Sequence, residues 1–434
     1  MQIFQKRFLF IVVIAIMLLP FAQSTLNFIK LKPLDGAFEL AEKPNFKFFT
    51  WRRWFDEVFQ NKFNKGIEDN VGFRNFLLRL NNQIDYTLFS RTSTYKAVIG
   101  KSDCLFEEGY ILDYTGRNFV GKDFINEELQ RAKAVQDYLK REKNIDLIIV
   151  FEPGKASYFP EFIPNRYRPE KRTLSNYSYY VQQCKALNIN YLDLNAWFVS
   201  LKDTSRYPLY PKYGVHWSTY GMYLAVDTLM KFIEKTRGID MPDFYWNNMK
   251  VTDRIIDSDY DIELTLNLLF QLPHEALAYP RIKYMKSSGK LKPNVLTIAD
   301  SYYWSIYNSN IPDSVFNKHE FWYYNYTIYP DSWGKKVRYV DHKDDKENIE
   351  KQDVILLMIT ELNLYRGFFQ FVDKAYKIYF PDAKPDESYD FKTAYLNGDY
   401  CLKDLLFKAD SCKMSPEDLL NKLTNEAVKG RVER

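Results

Sequence analysis

The sequence predicts an α/β protein built on a mostly parallel central sheet, with an N-terminal membrane anchor and helical additions. Three short runs of strand type carry the prediction: Asp146–Phe151 (DLIIVF), Val295–Ile298 (VLTI) and Asp353–Ile359 (DVILLMI). They are apolar almost throughout rather than at alternate positions, as suits strands covered on both faces. Amphipathic stretches lie between them, and strand–helix alternation is the signature of a parallel sheet with helices on both sides. In such sheets reactive groups collect beyond the C-terminal ends of the strands. Those ends are Pro153-Gly154-Lys155, Asp300-Ser301 and Thr360-Glu361.

From the N-terminus, a short basic segment (Lys6, Arg7) precedes the apolar run Phe8–Phe21 and then Ala22-Gln23-Ser24. This reads as a signal anchor or signal peptide over residues 1–29. The uncleaved anchor is favoured, with the basic end inside and the body exported. That leaves the body outside the cytoplasm, tethered to the membrane or free of it if the signal is cleaved. Residues 30–95 are a spacer and helical region, whose helices over Phe48–Phe89 break at Asp69-Asn70-Val71-Gly72. Residues 96–380 form the α/β domain, with helices expected over Glu127–Lys143, Asn176–Leu187, Trp197–Lys202 and Tyr220–Arg237 and a short strand at Tyr191–Leu194. Asp257–Leu272 starts acidic and becomes helical. Residues 381–434 read as a charged helical C-terminal extension.

The chain has 434 residues and a formal net charge of +4, so it carries no nucleic-acid footprint. Its 34 Tyr and 33 Phe supply many aromatic faces, which suit the C–H faces of sugar rings where they line a cleft and are otherwise core. Four cysteines form no disulfide framework, although Cys401 and Cys412 close a small loop and could pair. The four histidines are scattered and no metal motif occurs, so neither a metal site nor a cofactor is expected. Asp257, Asp259 and Asp261 have a superficial calcium-loop spacing but lack its glycine and closing glutamate.

Two stretches carry the chemistry. Lys212–Gly221 (KYGVHWSTYG) holds His216, with Trp217 and Ser218 after it and Gly214 and Gly221 on either side. Val295–Tyr302 (VLTIADSY) delivers Ser301 from the end of a buried strand. A serine so placed and a histidine elsewhere are the minimum apparatus for acyl transfer. Read alone, Ser301 is as readily a helix N-cap, and His216 a packed core histidine.

Several ordered blocks resemble the periplasmic alginate O-acetyltransferase-like family, whose catalytic domain is a circularly permuted SGNH hydrolase-like fold. They are Glu68–Arg74, Ala97–Phe106 (AVIGKSDCLF), Pro153–Glu161 (PGKASYFPE), His216-Trp217 with Gly221, and Ala299-Asp300-Ser301. The resemblance implies a three-layer sandwich, Ser301 as nucleophile and His216 as base. It also implies motif support from Asp300 and Trp217 and candidate substrate contacts at Tyr307 and Lys155. Two departures stand out. The nucleophile block begins with Ala299 rather than glycine, and the family's acid, two residues before the histidine, is here Gly214. Asp193 or Asp203 could replace that acid, a backbone carbonyl could orient the ring in a Ser-His dyad, or the chain could bind without catalysing. The reading is an extracytoplasmic O-acetyltransferase acting on polysaccharide hydroxyls through an acyl-serine. The resemblance implies a multi-pass membrane acyltransferase as acetyl donor. Alternatives are a carbohydrate acetylesterase and a non-catalytic glycan-binding or scaffold subunit of a polysaccharide modification complex.

Overall fold

Each of the three apolar runs becomes a central strand of one six-stranded sheet. Its strands are β1 (Asp146–Glu152), β2 (Tyr191–Asp193), β3 (Asn294–Ala299), β4 (Lys318–Tyr323), β5 (Thr327–Tyr329) and β6 (Val354–Thr360). Their order across the sheet is β2-β1-β6-β3-β4-β5. The first five are parallel, and β5 pairs antiparallel at the edge. Every residue of β1 and β6 is buried. The sheet is therefore mostly parallel and covered on both faces, as the strand composition requires. The structure is a computed structural model and describes residues 2–36, 42, 45–168, 172–285, 288–333, 336–398 and 401–432.

Alternation along the strands divides the core. Leu147, Ile149, Phe151, Leu296, Ile298, Ile355, Leu357 and Ile359 join one cluster with helices Lys122–Tyr138, Asn176–Ala186 and Phe371–Tyr379. Leu396, Leu405, Ala409, Leu419 and Leu420, from helices after residue 386, are buried in that same cluster. Outside it, helix Thr219–Arg237 buries Met222, Ala225, Val226, Leu229 and Ile233.

The chain divides into two units, Met1–Ile99 with Asp261–Pro273, and Gly100–Tyr260 with His274–Arg434. The first holds the apolar helix Gln2–Leu26, followed by helices Trp51–Phe55, Val58–Asn70 and Arg74–Phe89. Ile3–Leu26 has mean hydropathy 2.3 and is long and apolar enough to cross a membrane. At about 1.5 Å per residue it exceeds a ~30 Å hydrocarbon core. Arg79 knits this unit by donating to the carbonyls of Pro33 and Leu268 and pairing with Asp35.

Three local expectations are corrected. The helix expected through Leu272 is only a turn at Asp257–Asp259 and a helix at Asp261–Leu266, which ends where Asn267 takes a φ of 49°. An antiparallel ribbon, Phe244–Thr252 with Leu277–Tyr284, forms where no strand was expected. Cys401 and Cys412 begin and end a single helix. At ~1.5 Å of rise per residue they stand roughly 16 Å apart, beyond the ~7 Å reach of a disulfide. Cys412 is an exposed free thiol.

Candidate active site

Ser301 leaves the sheet at the C-terminal end of β3, one residue before a turn into the short helix Tyr303–Tyr307. The preceding Asp300 is fully buried and fixes that turn. One carboxylate oxygen accepts the Tyr302 N–H at 3.1 Å. The other accepts from the Thr360 N–H at 3.0 Å, the Thr360 hydroxyl at 2.7 Å and the Asn363 amide at 2.8 Å. A single anion thus ties the end of β3 to the end of its neighbour β6. Glu152, at the end of β1, is also fully buried, and neither of its carboxyl oxygens has a hydrogen-bond partner among the described residues. Burial, helped by the Asp300 charge, pushes its pKa well above the ordinary carboxylate range.

His216 comes from the loop before helix Thr219–Arg237. Ser218 caps that helix: its hydroxyl accepts the Gly221 N–H at 3.1 Å and donates to the Pro208 carbonyl at 2.7 Å. Gly221 is required by space, since a Cβ there would lie 2.6 Å from the Leu209 carbonyl. The loop's carbonyls are gathered by a fully buried ammonium. Lys155 Nζ donates to the Lys212 carbonyl at 2.9 Å and to the Gly214 carbonyl at 2.5 Å. The Leu105 N–H adds a bond to the Lys212 carbonyl at 3.1 Å. From the serine side, the Tyr302 hydroxyl donates to the Val215 carbonyl at 2.6 Å, and its ring lies 4.8 Å from the imidazole. Trp217 Nε1 donates to Ser305 Oγ at 2.7 Å. Held from both directions, His216 Nε2 lies 3.1 Å from Ser301 Oγ.

Two stretches 85 residues apart in sequence therefore meet at one hydrogen bond. With Nε2 unprotonated, the imidazole can take the serine proton, which is the geometry a general base needs.

The other candidates fall elsewhere. Asp193 caps helix Leu194–Leu201, accepting the Ala196 N–H and the Tyr177 hydroxyl, each at 2.9 Å. Burial raises its pKa. Asp203 is exposed on the turn after that helix. Asp193 is thus engaged at the N-terminal end of that helix, and Asp203 lies exposed beyond its C-terminal end. Lys155 is enclosed rather than presented to a ligand, so its work is to position the histidine loop. Tyr307 is 9% exposed and packs against Trp304, His319 and Phe321, which makes it a wall residue. His319 and His342 pair with Asp313 and Asp345, both at 2.9 Å. Among the described residues, no group of three or more His, Cys, Asp and Glu could hold a metal ion.

Sequence reasoning passed over a second polar cluster. Glu361, just after β6, accepts from the Ser157 hydroxyl and the Asn195 amide. Asn195 in turn accepts the Gly154 N–H at 3.1 Å. Burial raises the Glu361 pKa to about 7, against the lowering effect of its two donors. A Cβ at Gly154 would lie 2.2 Å from a Glu361 oxygen, so a side chain there would displace that carboxyl group. The signal was the pairing of a strand-end Pro-Gly-Lys with a strand-end Thr-Glu, two features read separately.

Residues 97–249 match the family described as SGNH hydrolase-like domain, acetyltransferase AlgX. The matched stretch contains Lys155 and His216, and Ser301 lies beyond it. No curated protein matches the chain. Among solved structures, the O-acetyltransferase domain of Pseudomonas putida AlgJ is similar at 14% identity and a TM-score of 0.42, covering 65% of this chain and 99% of that one. Pseudomonas aeruginosa AlgX aligns at 14% identity and a TM-score of 0.41, over 64% of this chain and 67% of that one. Bacillus cereus PatB1 aligns at 12% identity and a TM-score of 0.37, over 59% and 94%. Over residues 97–249 the chain is thus similar to the family described as SGNH hydrolase-like domain, acetyltransferase AlgX.

Proposed function

We propose that the protein is a membrane-anchored polysaccharide O-acetyltransferase whose body works on the periplasmic side of the inner membrane. The observation that carries this reading is the 3.1 Å contact between His216 Nε2 and Ser301 Oγ at the C-terminal edge of a parallel sheet. In the first step Ser301 Oγ attacks an acetyl carbonyl while His216 Nε2 takes its proton. The tetrahedral intermediate collapses, and the donor's leaving oxygen or sulfur departs with that proton, leaving acetyl-Ser301. In the second step a sugar hydroxyl gives its proton to His216 and attacks the acetyl-serine, and the proton returns to Ser301 as the ester product leaves. The Ser301 N–H is the natural donor to the developing oxyanion. A multi-pass membrane acyltransferase supplies the acetyl group, and the apolar helix Gln2–Leu26 holds the body beside it.

Support for a glycan acceptor comes from the rings next to Ser301. Trp304 lies one helical turn after the serine and touches Tyr323, Tyr329 and Trp333 at centroid distances of 5.5, 4.6 and 5.5 Å. Trp333 is 59% exposed. Exposed rings of this kind stack on the C–H faces of pyranoses.

The test uses the full chain in detergent with an activated acetyl ester and oligosaccharide acceptors. Ser301→Ala and His216→Ala are each expected to lower transfer at least ~10³-fold. Activity with water alone despite added acceptors would make the protein an acetylesterase. Acetate release unchanged in both variants would leave a non-catalytic subunit.

A further inference from the structure

A histidine that acts as a base through Nε2 needs its other nitrogen held, and the carboxylate that does so is worth up to about 10⁴ in rate. Here the position two residues before His216 is Gly214, which by itself looks like a lost acid. The structure gives that glycine a different meaning. A Cβ on Gly214 would lie 2.8 Å from the carbonyl oxygen of Asp259, 2.9 Å from its carbon and 2.9 Å from Pro211 Cγ. The side-chain space is therefore already filled by another segment, the turn Asp257–Asp259.

That turn is held in place. The Tyr279 hydroxyl, on the ribbon strand Leu277–Tyr284, accepts the Ile256 N–H at 3.1 Å and donates to Asp259 Oδ2 at 2.6 Å. Asp259 is 1% exposed. On the loop's other flank, His274 lies between the rings of Tyr213, at 5.9 Å, and Tyr260, at 4.7 Å. The first contacts tie the turn to the ribbon, and the second link Tyr260, next after the turn, to the histidine loop at Tyr213. The turn whose Asp259 backbone fills that space is acidic in sequence, where the loop carries no acid.

We propose that the turn Asp257–Asp259 supplies the missing acid: a carboxylate from this turn orients the His216 ring through Nδ1–H and stabilises the imidazolium. Gly214 is then the condition for this arrangement, since any side chain there would exclude the turn. The proposal rests on the acyltransferase reading for its catalytic consequence, although the placement of the carboxylate does not. Ser301 and the ring of Tyr302 also lie at the imidazole, and Lys155 binds the loop through the Gly214 carbonyl.

The experiment follows the His216 imidazole by NMR through a pH titration of the full chain in detergent, with the signal assigned by its loss in His216→Ala. Asp257→Asn and Asp259→Asn are compared with the parent. Removing an adjacent carboxylate removes what favours the imidazolium, so one variant should titrate lower by on the order of one pH unit. In the same variant transfer should fall ~10²–10⁴-fold, and the acid limb of its pH–rate profile should move down with the titration. Tyr279→Phe, which leaves both aspartates in place, reports whether loosening the turn alone has the same effect. If loosening were the whole cause, Tyr279→Phe would lose as much rate as the aspartate variant, and the proposal would fall. It would also fall if both Asn variants titrate His216 as the parent does. A parent with no Ser301-dependent transfer would overturn the acyltransferase reading alone, because the titration needs no turnover.

Discussion

Asp300 holds the serine turn by accepting four hydrogen bonds, whereas Lys155 holds the histidine loop by donating to two backbone carbonyls. Both groups are fully buried, and neither faces a substrate. The difference follows from what each segment exposes. A chain leaving a parallel strand into a helix presents N–H groups, which an anion satisfies. A loop wrapped before a helix cap turns its carbonyls inward, which a cation satisfies. A reactive pair drawn from distant parts of the chain is thus set by two buried ions of opposite sign.

The comparison breaks most severely at Asp300. Asp300→Ala leaves donors from Tyr302, Thr360 and Asn363 without their acceptor, and should cost about 3–5 kcal/mol in denaturant unfolding together with all transfer activity. Lys155→Met differs in kind. It removes two bonds but also the cost of burying an ammonium, so stability should change by only ~1–2 kcal/mol. Activity should nevertheless fall roughly 10²-fold, because a loop displaced by about 1 Å no longer presents its base. Equal losses of stability in the two variants would remove the distinction.

Gly214→Asp sharpens the histidine side. It places the family's acid back at its usual position, yet the Asp259 backbone already fills that space. The substitution should lower both melting temperature and transfer rate. Faster transfer than the parent would mean that the position was merely vacant.

The smallest expected effect concerns pH. Burial raises Glu361 from 4.5 to about 7 in the folded chain. The folded state therefore keeps a proton that the unfolded state releases, and this contribution to stability is fully present below about pH 4.5 and lost as pH rises through about 7. Glu361→Gln should flatten the fall in stability over that window, read from unfolding midpoints at several pH values. An unchanged slope would mean that Glu361 ionises normally.

The parts legible in the sequence are those that one segment carries alone. Continuous apolar runs gave the central strands β1, β3 and β6, and the end of one of them pointed to Ser301. β4 was hidden, because Lys318-His319-Glu320 disguises its start although Phe321 and Trp322 are fully buried. The ribbon Phe244–Thr252 was hidden for a related reason: most of its residues are only partly covered, so no clean alternation marks it. The supports of the site were illegible because each joins distant segments. Tyr302 reaches Val215, Lys155 reaches Gly214, and the turn at Asp259 fills the space beside Gly214. Nothing within ten residues of His216 signals them.

The most direct measurement is a trap of the acyl-enzyme. The full chain is given an activated acetyl ester without acceptor, quenched in acid and digested, and the peptide containing Ser301 is read by mass spectrometry. Acetyl-Ser301 should accumulate in the parent, be strongly reduced in His216→Ala, and disappear when an oligosaccharide acceptor is added. Acetylation at other residues only, or equal labelling of Ser301 in parent and His216→Ala, would contradict the account.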